Sequence, residues 1–245
     1  MTPIVDWIGT CPATCECLYR CELVGLDASY LYILARILGN HGASSNQFID
    51  ILGLHSCGGT RRVVTSTTCV SECYRTHREN GEPVGHEVLP DIIEGFSEEM
   101  LLKCIEALDD SAHIDAFRQS KYIDGETKPL DDGERTLLAA MDQIDAFSYL
   151  ITEDEDAFDI IKDICGDGAT DVQPISTVAV WRHMYTCSAL SEAAIICLTD
   201  GLKKDIRERR SDMKDRKRQR KTDDINQLIN FVGGPEAMPQ VQPTP

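Results

Sequence analysis

No apolar run in the sequence approaches the roughly 20 consecutive residues that a bilayer-spanning helix needs, so no membrane span is expected. The first residues, Met1-Thr2-Pro3-Ile4-Val5-Asp6, offer neither a cationic start nor an apolar stretch. A secretory leader is therefore not expected, and the cytoplasm is the expected compartment. There is no internal repeat. The six histidines are dispersed, and none is spaced from a nucleophile or a second histidine as a Cys–His hydrolase would require.

What is present is enough for a folded core. At 245 residues, 42% hydrophobic and 27% charged, the chain has the make-up of one sizeable domain with appendages, or of two small ones. Eleven cysteines are many for a reducing compartment, yet the chain is long for a disulfide scaffold. Cys57, Cys69, Cys73, Cys104, Cys165, Cys187 and Cys197 are scattered and read as small buried thiols. The net charge of −17 is uneven: Lys203–Lys221 holds eleven Lys and Arg against four Asp and Glu, and the rest of the chain is far more acidic.

Local patterns alternate. Cys21 to Leu26 reads as a short buried strand, and Leu31, Leu34, Ile37 and Leu38 then fall at helical spacing until Gly39 and Gly42. Arg61 to Thr65 is a second strand, after which Thr65 or Ser66 can cap a helix through Cys69, Val70 and Cys73. Two helical patterns follow, Val88–Ile93 and Ser97–Leu108, and then a less regular stretch with Gly125 and Pro129. A helix opens near Asp131, a strand covers Phe147–Thr152, a helix covers Glu155–Cys165, and a last strand covers Val172–Thr177. Helix is expected after Val178 and unbroken from Ser191 to about Lys221.

This order predicts a three-layer α/β/α fold with a mainly parallel central sheet, an inserted helical region and a C-terminal helix. The expected divisions are a cysteine-rich arm (1–21), the α/β domain (22–187, with the helical insertion at 84–130), a helical region (188–232, with the basic segment 203–221) and a disordered tail (233–245).

Acidic residues sit where this reading places strand ends or first helical turns. Asp27 follows the first strand, Glu72 lies two turns into the helix after the second, Asp131, Asp132 and Glu134 open the third unit, and Asp154 follows Thr152. In an open parallel sheet the carboxyl ends of the strands share one crevice. Carboxylates gathered there repel, by about 4 kcal/mol for a pair at about 4 Å and an effective dielectric near 20. A divalent cation removes that penalty, and ligands that are all oxygen favour Mg²⁺ or Mn²⁺. Each acid also has a plainer role: Asp131-x-x-Glu134 can be a capping box, Asp154 and Asp156 can favour a helix dipole, Glu72 can face solvent, and Asp27 can cap the first helix.

Taken together, the motifs resemble the PIN-domain nucleases. Leu26-Asp27-Ala28-Ser29 resembles that family's opening. Val63-Val64-Thr65-Ser66 followed by Glu72 looks like its second strand and second acid, and Asp132-Gly133-Glu134 is similar to the D-x-G-E element of one branch. Leu150-Ile151-Thr152-Glu153-Asp154 resembles its T-x-D strand, and Val172 to Thr177 its last strand. The resemblance covers residues 22–185. It implies an Mg²⁺- or Mn²⁺-dependent endoribonuclease that hydrolyses RNA with metal-activated water, its catalytic and metal-holding acids being Asp27, Glu72, Glu134 and Asp154. Asp132 and Asp156 join as further candidate metal ligands, and which of Asp131, Asp132 and Glu134 is the third acid stays open. An inactive PIN-like binding or regulatory module and a DNA-directed nuclease are the alternatives. RNA is the implied partner, with single-stranded DNA, a homodimer or an inhibitory protein as others.

Two features lie outside this resemblance. Cys11, Cys15, Cys17 and Cys21, spaced C-x3-C-x-C-x3-C, offer four thiolates to Zn²⁺ or an iron–sulfur cluster, or are merely packed. Arg216, Lys217, Arg218, Arg220 and Lys221 can neutralise phosphates, or can be a solvated helix face held by pairs such as Asp205–Arg209 and Asp212–Arg216. The segment has no interleaved aromatics, so readout of bases is not indicated.

Overall fold

The computed structural model describes residues 22–56, 61–75, 101, 105–108, 117, 120–123, 126–144, 146–208 and 215–233. In chain order, β1 (Leu23–Leu26) leads through Asp27 into α1 (Ala28–Asn40), and α2 (Ser45–Gly53) follows. Next come β2 (Arg62–Thr65), α3 (Thr67–Arg75), β3 (Glu106–Ala107) and the strands β4 (Ser120–Ile123) and β5 (Glu126–Pro129). The series continues with α4 (Asp132–Asp142), β6 (Ser148–Ile151), α5 (Glu155–Gly166) and β7 (Val172–Ile175). It closes with α6 (Thr177–Thr186), α7 (Glu192–Glu208) and α8 (Asp215–Gly233). The described residues form two units, one running to Thr177 and the other starting at Val178.

The first unit is a three-layer α/β/α fold on a five-stranded sheet of order β3-β2-β1-β6-β7, each pairing parallel. β4 and β5 pair antiparallel as a separate two-stranded sheet. Strand alternation sets the layers. Leu23, Val64, Leu150 and Val172 pack in one buried cluster with Cys69 of α3, Leu137, Leu138 and Met141 of α4, and Ile160, Ile161 and Ile164 of α5. Gly25 is in register with Val64 and Leu150. A Cβ there would lie 3.0 Å from Cε of Met141 and closer still to its sulfur, so the absence of a side chain lets α4 settle onto the middle strand.

Helix α1 is buried almost all round, from Tyr30 to Leu38. It brings Tyr30 to His55: the histidine's Nδ1–H donates to Leu52 O at 2.9 Å, which leaves Nε2 to accept from the Tyr30 hydroxyl at 2.7 Å. Burial holds the imidazole neutral, its pKa lowered from 6.5 to about 4. Both ring nitrogens of the neutral form are thereby satisfied. In the second unit α7 and α8 pack together, and Phe231 of α8 lies edge-on to Tyr185 and beneath the Arg182 guanidinium, 4.2 Å from ring centroid to Cζ.

Several boundaries differ from the sequence expectation. Of the two caps expected for α3, Ser66 is the one used, accepting the Cys69 N–H at 3.0 Å, while Thr65 Oγ1 donates to Leu26 O at 2.8 Å. Helix α2 was not expected, although Ser44 and Gln47 close a capping box at its start. The expected helix Ser97–Leu108 gives way to strand at β3, where Arg62 and Glu106 pair across the ladder. The expected strand Val172–Thr177 stops at Ile175, because Thr177 already opens α6. Within the stretch Ser191–Lys221 the described helices are α7 and α8, with 209–214 outside the described residues, as are Val88–Ile93 and the tail from 234. No helix among the described residues is long and apolar enough to cross a membrane.

The Tyr30–His55 bond gives a direct test. Tyr30→Phe leaves a buried Nε2 without its donor and is expected to cost about 1–3 kcal/mol, read as a lower urea midpoint. An unchanged midpoint would show that the bond carries no stability. Since the folded pKa of His55 lies below its ordinary value, its contribution is present above pH 6.5 and is lost as pH falls toward 4.

Candidate functional site

All five strands of the main sheet run the same way, so their carboxyl ends line one edge, and Asp27 sits at the middle of it. Its N–H donates to Ile151 O at 3.1 Å, which extends the β1–β6 ladder by one residue. The side chain is 2% exposed. Asp27 Oδ2 accepts from Ser29 Oγ at 2.5 Å, from Ser29 N at 3.2 Å and from Thr152 Oγ1 at 3.0 Å. Each hydroxyl oxygen in turn accepts a backbone N–H, Ser29 Oγ from Glu153 at 2.9 Å and Thr152 Oγ1 from Asp154 at 3.0 Å. With those N–H groups on their oxygens, both hydroxyl protons point at the carboxylate. Cys69 Sγ approaches Asp27 Oδ1 at 3.7 Å.

The second wall of the site is the first turn of α4. Asp131 caps that helix and accepts the Glu134 N–H at 3.2 Å, while Glu134 Oε2 accepts the Asp131 N–H at 3.3 Å. The capping box is therefore real, and it orients Glu134 inward to 4% exposure. Asp132 turns the other way: its carboxylate is 71% exposed and pairs with Arg135. Between them Gly133 donates its N–H to Glu72 Oε1 at 3.0 Å. A Cβ on Gly133 would stand 2.8 Å from Cδ of Glu72 and against both its oxygens. Glycine at this position lets the α3 carboxylate seat on the positive end of the α4 helix.

Asp154 caps α5, its Oδ1 accepting the N–H groups of Asp156 at 2.7 Å and Ala157 at 3.2 Å. Asp156 contributes that N–H, and its side chain is half-buried. Capping does not take Asp154 out of the acidic group, because its charge acts on Glu134. Burial first, then the charges of Asp27, Asp131 and Asp154, push the Glu134 carboxyl up to about 11. Burial likewise raises Asp27, with Asp131 adding to it, against the lowering by the Ser29 and Thr152 hydrogen bonds. The buried Cys69 and Cys73 thiols are raised by burial and then by Asp27; Glu72 adds to both.

Asp27, Glu134, Asp131 and Asp154 thus share one field, while Glu72 acts on the Cys69 and Cys73 thiols and accepts the Gly133 N–H. Asp132 is directed away. Oxygen donors of this kind suit a hard divalent cation. Among the described residues, however, no group of three or more His, Cys, Asp or Glu side chains has an arrangement that could hold a metal ion. Ser29 is the participant that reading for acids passes over, and its signal was its place two residues after a capping aspartate. Cys11, Cys15, Cys17 and Cys21 lie outside the described residues, and Cys69, Cys73, Cys165, Cys187 and Cys197 are thiols that take part in no disulfide. Arg216, Lys217, Arg218, Arg220 and Lys221 lie in the second unit, in the first two turns of α8. Comparison with protein-family models, with curated proteins and with solved structures gives no match.

The electrostatics predict an unusual pH profile for metal-free protein. A carboxyl whose folded pKa exceeds its ordinary 4.5 contributes stability that is complete below that value and lost as pH rises toward about 11. The melting temperature in EDTA is expected to fall steadily from about pH 5 to about pH 9, and Glu134→Gln is expected to flatten that fall. A slope identical in the variant would show that Glu134 is not the titrating group.

Proposed function

We propose that this chain is a PIN-like, metal-dependent endoribonuclease whose site is built from Asp27, Glu72, Glu134 and Asp154. The observation that carries the reading is the Glu134 carboxyl, which burial first, and then the charges of Asp27, Asp131 and Asp154, push up to about 11. Burial and repulsion together make this carboxyl costly to ionise in the fold, and perturbed carboxyls at the ends of parallel strands suit a site for cations and phosphates. The order of the acids along the chain, and the resemblance it carries, add the nuclease chemistry and the preference for RNA.

A bound Mg²⁺ or Mn²⁺ would neutralise the carboxylates and supply Lewis acidity toward a phosphodiester. The protein's own residues do the positioning. Ser29 and Thr152 fix the rotamer of Asp27, the Gly133 N–H fixes Glu72, and the capping box fixes Glu134. Glu134, raised to about 11 by burial and then by its acidic neighbours, can hold a proton at this edge of the sheet. Asp132 pairs outward with Arg135 and is the weakest candidate in the D-x-G-E stretch.

A second reading is favoured by one observation, that no three acidic groups among the described residues stand in a metal-holding arrangement. On that reading the chain is a binding or regulatory module without catalysis. Titration with Mn²⁺ followed by thermal melting separates the two, because only a protein that binds the ion gains stability. Cleavage of RNA and of single-stranded DNA, assayed in parallel, tests the substrate.

The decisive variant is Asp27→Asn. Asparagine caps a helix as well as aspartate does, so the fold is expected to survive. Mn²⁺-dependent cleavage is expected to fall by at least about 100-fold, or about 2.7 kcal/mol of transition-state stabilisation. Equal activity in the variant, or full activity of the parent in excess EDTA, would sink the assignment.

A further inference from the structure

We infer that Glu72 is a positioning residue: it clamps α3 to the first turn of α4 through Gly133, holds the neighbouring Glu134 in place, and is not itself a ligand of the ion. The inference deepens the nuclease reading and rests on it for the ion that the site takes.

The first turn of α4 shows what the Glu72 carboxylate is used for. The opening N–H groups of a helix have no partner within it. Here the Asp131 N–H goes to Glu134 Oε2, and the Glu134 N–H goes to Asp131 Oδ1. The Gly133 N–H is taken by another helix, Glu72 Oε1 of α3 accepting it at 3.0 Å. The space above Gly133 is shaped for that carboxylate. A Cβ there would stand 3.0 Å from Oε1, 2.8 Å from Cδ and closer still to Oε2. Alanine favours a helix over glycine, so a glycine in the first turn of α4 calls for a reason, and the Glu72 head group supplies it.

The same side of α3 also reaches the first wall of the site. Cys69, Glu72 and Cys73 stand three and four residues apart, which sets them along one face of a helix. Cys69 Sγ donates to Asp27 Oδ1 at 3.7 Å, and Cys73 Sγ donates to Ala28 O at 3.3 Å. Both thiols are buried, and Ser66 caps the helix that carries them. Helix α3 is therefore a strut between the strand end that bears Asp27 and the helix start that bears Glu134. Glu72 is its contact with the second of these.

The charges agree with that role. Those that lead in raising Glu134 belong to Asp27, Asp131 and Asp154, whereas Glu72 acts on Cys69 and Cys73. A carboxylate received by the positive end of a helix is already partly offset. It gains less from a cation than one set among other acids.

The test is Mn²⁺ binding to the full chain, read by electron paramagnetic resonance of the free ion, with thermal melting alongside. E72Q removes the charge and keeps an oxygen for the Gly133 N–H; E72A removes both; G133A leaves the Glu72 side chain whole and evicts it from its place. Affinity for Mn²⁺ is expected to stay within about threefold of the parent in E72Q, and to fall at least about tenfold in E72A and in G133A. If Glu72 is a ligand, E72Q loses as much as E72A, and that result overturns the inference. So do three variants that melt lower yet bind Mn²⁺ as the parent does, since the clamp would then serve the fold alone. The contact is also checked without the ion. In EDTA, G133A is expected to lower the melting temperature of the parent and to raise that of E72A, where the added methyl meets no carboxylate. Equal shifts in the two backgrounds overturn the inference. The E72Q–E72A split without cleavage of RNA sinks only the nuclease reading, and cleavage in which E72Q is as inactive as E72A sinks only the inference. A parent that binds no Mn²⁺ sinks both.

Discussion

The backbone at Leu26–Asp27 is bound from both sides. Leu26 O accepts the Thr65 hydroxyl from β2, and the Asp27 N–H donates to Ile151 O of β6. With β1 central in the sheet, these bonds fix the Cα of Asp27 within a ladder whose strands are buried on both faces. The side chain has little freedom left once Ser29 and Thr152 donate to it. Asp154 takes its position from this point, whereas Glu72 and Glu134 are set by the first turn of α4. The same two hydroxyls, through the N–H groups of Glu153 and Asp154, set where the β6–α5 turn runs and hence where Asp154 stands.

Against that anchoring works the mutual repulsion of the acids. The fold meets it with dipoles and protons: Glu72 is received by the start of α4, Asp154 by the start of α5, and Glu134 keeps its proton. Capping and site roles, which look like competing explanations in the sequence, coexist in the same residues. Glu134 Oε2 closes the capping box while its carboxyl feels three other acids, and the cap is the reason it points inward. Asp132, one residue earlier in the turn than Gly133, is turned outward by the same helical geometry.

The sequence made the central alternation legible because β1, β6 and α5 each carry a clean period with a stop signal. Where tertiary contact decides, it did not. β3 is two residues long and exists through pairing with β2, so no periodicity announces it. The β4–β5 pair spans a stretch that read as irregular around Gly125 and Pro129. Helix α2 had a readable start in Ser44-x-x-Gln47 that a short helix with few turns does not reinforce. For the site, the linear order of Asp27, Glu72, Glu134 and Asp154 was legible, but side-chain direction was not. That Glu134 faces in and Asp132 out depends on the register of α4, and the seat of Glu72 depends on the missing side chain of Gly133.

The edges of the main sheet have a consequence for assembly. One edge is β3, only two residues long and flanked by the Arg62–Glu106 ion pair; the other is β7, which contains Pro174 and so lacks an amide at that position. A short charged margin and a proline are the two commonest ways of refusing an incoming strand. Among the described residues, both margins of the main sheet therefore disfavour addition of a neighbour's strand. A homo-oligomer of this chain would accordingly not be expected to form by extension of the main sheet.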